Sequence, residues 1–254
     1  MNKLSIMKKI NYVILIIMIP GSLRLNAQNT IFLSHGRIEY ERKVNLWAQI
    51  DDEDDNEWKD IQKKTVPKFK STYFDLSFSN NKTLYQPGRE NPDNNRLWQG
   101  PAEDNIVFTD LETQQVTSSK NVFEQRFLVQ DSVRKIKWKI TDEKRTIAGF
   151  DCRRANGLFM DSIYIVAFYT DEIIISSGPE SFSGLPGMIL GIAIPHEHIT
   201  WFATKVYADE VPASSLIAPK KGKKVTNAAM LTQLSDALKD WGRWGKRYIK
   251  AAML

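Results

Sequence analysis

The chain has 254 residues, 35 basic and 30 acidic side chains, a formal charge of +5 and one cysteine. A single cysteine excludes a disulfide framework and a cysteine-rich metal cluster, and a chain of this length buries roughly 70% of its unfolded surface without such staples. Four of the positive charges, Lys3, Lys8, Lys9 and Arg24, sit in the first 27 residues, so the basic balance is no argument for nucleic acid.

Those lysines precede an apolar run over residues 13–19, which Pro20-Gly21-Ser22 breaks. A basic start, an apolar stretch too short to span and a small residue at Ala27 predict a secretory signal peptide over 1–27. Leu25, three positions before the expected cut, departs from the usual small residue. No later apolar run is long enough to cross a bilayer, so no transmembrane segment is expected after cleavage.

Residues 36–41 alternate, with Ile38 and Tyr40 on one face and Glu39 and Glu41 on the other, which predicts a half-buried first strand. The acidic run 51–60, DDEDDNEWKD, fails as a calcium loop: Asn56 or Glu57 stands where glycine is required, and no glutamate closes it. It reads instead as a solvated stretch in which Asp55-Asn56 caps a short helix through Trp58 and Ile61, ended by Pro67. Residues 73–85 form a hairpin, with Phe74, Leu76 and Phe78 sharing a face and Asn80-Asn81 turning the chain. Residues 87–101 are loop. Strands follow at 105–109, 121–128, 133–140 (Ile136, Trp138 and Ile140 inward), 146–155 and 162–168, and Ile173-Ile174-Ile175 continue the β pattern.

Gly184-Leu185-Pro186-Gly187 then makes a corner. Pro186 holds Leu185 extended, and Gly187 suits the left-handed position of a type II turn, with Leu185 buried. The corner aims residues 188–194 into the core. Residues 199–207 form the last strong strand, and 212–224 a linker with Lys220, Lys221, Lys223 and Lys224. A helix starts near Thr226, with Met230, Leu234, Leu238 and Trp241 on one face and Tyr248 continuing it. The expected fold is mainly β: one large curved antiparallel sheet, half-barrel or bowl-like, with a C-terminal helix and one or two short helices. Residues 28–218 form the β domain, and residues 219–254 the basic linker and the helix that packs on it.

Chemistry-bearing patterns are few. There is no nucleophile elbow, phosphate loop or dinucleotide fingerprint. His196 and His198 share a face if the segment is a strand, and a metal-dependent hydrolase centred on them is the alternative to a binding role. Asp171 and Glu172, adjacent on a strand, face opposite sides and do not form an acid–base pair. Cys152 reads as a small buried hydrophobe. Residues 239–248 interleave Trp241, Trp244 and Tyr248 with Lys239, Arg243, Lys246 and Arg247; a core-packing helix, a membrane-surface helix and a nucleic-acid contact all fit that pattern, the first best. No cofactor is expected.

The stretch 168–190, FYTDEIIISSGPESFSGLPGMIL, together with Trp138-Lys139-Ile140-Thr141 and residues 146–155, resembles the signature of the GLPGLI family, exported proteins of one group of didermic bacteria. Met188 stands where that family usually has leucine. The spacing is also similar to exported carrier-like half-barrels. The resemblance implies a non-enzymatic periplasmic binding or accessory role beside a TonB-dependent outer-membrane transporter, with the transporter, a peptide or an apolar molecule as partner and no nucleic acid. A stand-alone glycan-binding module is a further alternative. Gly184, Leu185, Pro186 and Gly187 are then a structural corner that doubles as a possible interface.

Overall fold

The computed structural model describes residues 32–52, 58–94, 100–160 and 162–254. The leader and the capping Asp55-Asn56 lie outside them.

Strand β1 (Gly36–Asn45) alternates as expected, and its inward row is Ile38, Tyr40, Arg42 and Val44. Asn45 ends it by accepting a hydrogen bond from the Ala48 N–H, which starts helix α1 (Leu46–Asp51), an element the sequence reading did not anticipate. Helix α2 (Lys59–Thr65) follows. Strand β2 (Phe69–Ser79) pairs along the whole of β1, from Gly36 opposite Phe78 to Asn45 opposite Phe69. Asn80 and Asn81, both at positive φ, turn the chain into β3 (Lys82–Pro87), the conformation that a two-residue hairpin with right-handed twist demands. Strands β4 (Ile106–Asp110), β5 (Gln115–Val122) and β6 (Gln125–Ser132) extend the meander. The strand expected at 121–128 is instead a turn at Phe123-Glu124 between β5 and β6.

Residues 133–138 are not a strand. Ile136 and Trp138 still pack against the core, but Ile140, at the start of β7 (Lys139–Ile147), is exposed. β7 and β8 (Phe150–Phe159) form a hairpin through Ala148-Gly149, dividing the single strand expected at 146–155. β9 (Ile163–Thr170) leads to residues 171–187, which leave the sheet. There Ile173 makes only an isolated bridge to Leu33, so the expected strand at 173–175 is absent. Strands β10 (Met188–Ile194) and β11 (Ile199–Tyr207) return to the sheet, and β11 pairs with the free side of β1.

The strand order is β6-β5-β4-β3-β2-β1-β11-β10-β9-β8-β7, with β12 (Lys223–Val225) added outside β6. Every pair but one is antiparallel. β12 runs parallel to β6, so the sheet is mixed rather than wholly antiparallel. An open sheet of this width curls rather than staying flat. Here Ile147 of β7 reaches Gly191 of β10, and the Arg145 guanidinium lies 5.6 Å and 4.9 Å from the rings of Phe168 and Phe202.

The core fills the inner face. Trp201, Tyr40, Tyr85, Phe74 and Phe78 are fully buried, Phe74 stacks on Tyr85 at 4.7 Å, and the Tyr40 hydroxyl donates to the Ile189 carbonyl at 2.6 Å. Residues 171–187 cross that face and wedge Phe182 between Phe159 and Trp201.

The C-terminal segment is two helices rather than one. α3 (Asn227–Ala237) is capped by Thr226, whose hydroxyl accepts from the Ala229 N–H, and buries Met230 and Leu234. Gly242, at φ +55°, breaks the chain before α4 (Gly242–Ala252). Gly245 sits where a Cβ would be 2.7 Å from the Leu238 carbonyl, so the two helices meet too closely for a side chain. The break turns Trp241 away from the expected core face and leaves it half exposed. Among the described residues no helix is long and apolar enough to cross a membrane.

Candidate functional site

One end of the inner face is polar. The inward parity of β1 ends on Arg42 and Val44, and Arg42 stands opposite Trp201 on β11 and Thr72 on β2. Further along the sheet, Asn105 and Lys120 continue the row, with Lys120 inward between Ser118 and Val122. A carboxylate from the crossing segment meets them. Glu180 is 2% exposed, holds φ +54°, and accepts from Asn105 Nδ2 at 2.9 Å. A non-glycine residue held in the left-handed region is stored strain that the surrounding packing must sustain.

The charges in this belt shift one another. Burial pulls the Lys120 ammonium down to about 7, helped by the Arg134 charge and opposed by Glu180. Its Nζ donates to the Ala252 carbonyl at 3.2 Å. Burial pushes the Glu180 carboxyl up, while Lys120, Asn105, Arg42 and Arg134 all act to bring it down. Burial also lowers Arg134 to about 10, and its Nη2 donates to Asn227 Oδ1 and to the Met253 carbonyl. Tyr85 is raised by burial first and by Glu180 second, and its hydroxyl accepts from the Trp201 indole. Among the described residues, the buried side-chain atoms without a hydrogen-bond partner are Arg42 Nε, Thr72 Oγ1, Arg134 Nη1, Glu180 Oε1 and Ser183 Oγ. Four belong to this belt and the fifth to the same crossing segment. Unpaired buried polar atoms are costly, so their concentration here sets this belt apart from the apolar core around it.

A trough opens beside the belt, between α4 and the sheet. Its narrow arm, about 170 Å³, is walled by Val44, Pro101, Ile199, Trp244 and Ala251 and includes Arg42. Its broad arm, about 850 Å³, runs past Thr72, Tyr73, Arg89, Asn91 and Arg126. Both arms share Lys70, Glu103, Trp244 and Tyr248. Lys70 and Glu103 pair at 2.8 Å with little exposure. The aromatic wall is continuous: Phe123 stacks on Tyr248 at 4.6 Å and 2°, and Tyr248, Trp244 and Trp241 follow at 5.0 Å and 4.9 Å. Phe123, Trp241 and Trp244 are 54%, 51% and 40% exposed, more than a helix packed only as core would leave.

The residues singled out in the sequence fall elsewhere. Leu185 is buried as expected, and Gly184 and Pro186 are exposed. The corner is not a type II turn. The Gly187 N–H donates to the Leu185 carbonyl at 2.8 Å, closing a three-residue turn about Pro186, and Gly187 lies at φ +142° rather than in the left-handed well. A Cβ at Gly187 would sit 2.0 Å from the Thr170 carbonyl oxygen. Gly184 borders a separate cleft of about 530 Å³ with Ser183, Ser176, Arg134 and Lys135.

His196 and His198 are not on a strand. Pro195–Glu197 is a single 3-10 turn, and His198 follows it at φ +54°. His196 is exposed, while His198 Nε2 lies 2.8 Å from Asp52 Oδ2. Among the described residues no group of three potential ligands could hold a metal ion. The motif instead anchors two helices: α4 through Lys250 to Glu197 at 2.6 Å, and α1 through the Gln49 amide, which donates to the Glu197 carbonyl. Cys152 is buried, and burial pushes its thiol up to about 12.

Sequence reading missed Arg42, Asn105, Lys120, Arg134 and Glu180. The signal was present for two of them. Arg42 continues the Ile38, Tyr40 parity, and Lys120 falls in register with Val116 and Val122, so each is a cation on an inward face. Glu180 carries no such periodicity.

A family model described as "Protein of unknown function (Porph_ging)" matches residues 158–191, from the end of β8 through the crossing segment into β10. No curated protein matches the chain. Two solved structures of PNGF-II, in different space groups, are similar over 76% and 82% of this chain, each with 15% identity and a TM-score of 0.49. The chain spans about a third of the length of those structures, 32% and 33%.

Proposed function

We propose that this chain is an exported, non-enzymatic binding or accessory protein that works in the periplasm or at the periplasmic face of the outer membrane. Its trough between α4 and the sheet holds a ligand or a segment of a partner, for which a TonB-dependent transporter is the candidate. The observation that carries this reading is the trough itself. It is a concave surface whose narrow arm is walled mainly by apolar side chains and whose broad arm sets exposed aromatic rings among charged and amide side chains, so it can bind by burial and orient by charge. The ionisable groups that do converge, Glu180, Lys120 and Arg134, are buried against backbone carbonyls and an amide, an arrangement suited to holding a shape rather than to proton transfer with solvent-borne substrate. The resemblance to exported GLPGLI proteins supports the compartment.

Tagged protein recovered from envelope extracts and measured by native mass spectrometry tests the proposal. A stoichiometric partner or bound molecule is expected, and Trp244→Ala with Tyr248→Ala should reduce its recovery. Recovery of the bare chain alone would sink the reading. The exposed aromatic rings beside Asn91 and Arg126 also favour a second reading, a glycan-binding module. Saturable binding on a glycan array that the same double variant abolishes would select it.

A further inference from the structure

We infer that the narrow arm of the trough binds an apolar molecule with a carboxylate head, the head against the Arg42 guanidinium and the tail along Ile199, Trp244 and Ala251. This rests on the trough being the binding site and names the class of its ligand.

Arg42 carries the argument. It is 3% exposed, on the inward face of β1, between Tyr40 and Val44. Its Nε has no hydrogen-bond partner, and its Nη2 makes only a long 3.4 Å contact with the Pro101 carbonyl. Its guanidinium lies 5.5 Å from the Trp201 ring. A charge taken out of water needs a counter-charge close by. The acid that acts on it is Glu180, and Glu180 is shared with Lys120 and Arg134. Arg134 has Asp131 beside it as well, so among the described residues Arg42 is a buried cation left without an ion pair of its own. Lys70 and Glu103, at the junction of the arms, neutralise each other at 2.8 Å. Arg42 is thus a buried guanidinium in the wall of the arm, and it calls for an anion.

The remaining walls decide what the anion is attached to. Val44, Leu46, Pro101, Ile199, Trp244 and Ala251 present aliphatic and aromatic surface, with Gln49 and Arg247 also in the lining. The arm's volume of about 170 Å³ is on the order of ten times what one water needs, so it takes a chain rather than a small ion alone. A guanidinium edge matches a carboxylate in two parallel hydrogen bonds, whereas an alcohol offers it one acceptor and no charge. A single-chain carboxylate fits both requirements. A cationic or neutral amphiphile fits only the walls.

The test uses the full chain with dodecanoate, dodecanol and dodecyltrimethylammonium, read by titration calorimetry and by tryptophan fluorescence, which Trp244 reports. Dodecanoate is expected to bind saturably, one per chain, with dodecanol about tenfold weaker or more and the cation weaker still. Arg42→Met should bring dodecanoate to the level of dodecanol while thermal unfolding stays cooperative. If Arg42→Met does not fold, Ala251→Phe fills the arm with Arg42 intact and should abolish dodecanoate binding. Equal affinity for dodecanoate and dodecanol, no dodecanoate binding, or a carboxylate preference that survives Arg42→Met would each overturn the inference. An envelope partner or ligand recovered from a chain that ignores dodecanoate would leave the trough's binding role standing and remove only this ligand class.

Discussion

Glu180 sits at the meeting point of three buried cations and one amide, on a backbone conformation that a side chain adopts only under constraint. Removing its carboxylate takes away the acid that acts on Lys120 in a dry environment and leaves Arg134 with Asp131 alone. Glu180→Ala is therefore expected to cost about 3–5 kcal/mol in chemical denaturation, and Glu180→Gln less, because an amide still accepts from Asn105. Lys120 makes a separate, pH-dependent prediction. Its folded-state value is about 7, against an ordinary value of 10.5. Between those pH values the unfolded chain holds the proton that the folded chain has released, so the unfolded state binds more protons and stability rises with pH. Denaturation midpoints measured from pH 7 to 10.5 should climb, and Lys120→Met should flatten the climb. A midpoint that falls over that window in the wild-type chain would contradict the buried placement of Lys120. The upward shift of Glu180 acts in the opposite sense at lower pH, where the folded chain keeps a proton that the unfolded one loses.

The 171–187 segment shows how a local signal and its tertiary setting divide the work. Gly-Leu-Pro-Gly is legible as a corner because Pro186 and two glycines limit the backbone to few conformations. Which turn it forms is settled by the neighbour. Gly187 lies against the Thr170 carbonyl, where no Cβ fits, and the chain takes a tighter turn than the pattern suggests. Gly187→Ala should therefore lower stability by at least about 2 kcal/mol, whereas Gly149→Ala, at a hairpin tip with open space around it, should pay only for its positive φ, about 1 kcal/mol. Thermal melts of the two variants side by side give the comparison; similar losses would mean the close approach to Thr170 is relaxed in solution. The C-terminal helices follow the same logic. The apolar spacing of Met230, Leu234 and Leu238 was readable, but the break at Gly242 was not, since a helical stripe looks continuous until a close packing at Gly245 redirects the axis. That redirection exposes Trp241 and builds the aromatic wall.

Across the whole sheet, β1 is the hinge of the topology: the meander β2–β6 grows from one side and β11–β7 from the other. Residues 36–45 therefore hydrogen-bond on both edges, with fully buried Ile38 and Tyr40. Hydrogen exchange should be slowest in β1, β2 and β11 and fastest in the three-residue β12, which pairs on one side only. Slow exchange in β12 with fast exchange in β1 would mean a different strand order in solution.

Alternation and turn chemistry made most of the strands legible, from the Ile38-Tyr40 parity to the Asn80-Asn81 hairpin and the run 199–207, because side-chain burial on a pleat is a two-residue property that sequence records directly. The candidate site was not legible in that way. Arg42, Lys120 and Glu180 are 60 to 140 positions apart, and what makes them a site is the strand order that sets β1 and β5 on one face and folds residues 171–187 across it. Periodicity says which way a side chain points. Only the assembled sheet says which charges it will meet, because that depends on long-range pairing that no local stretch encodes.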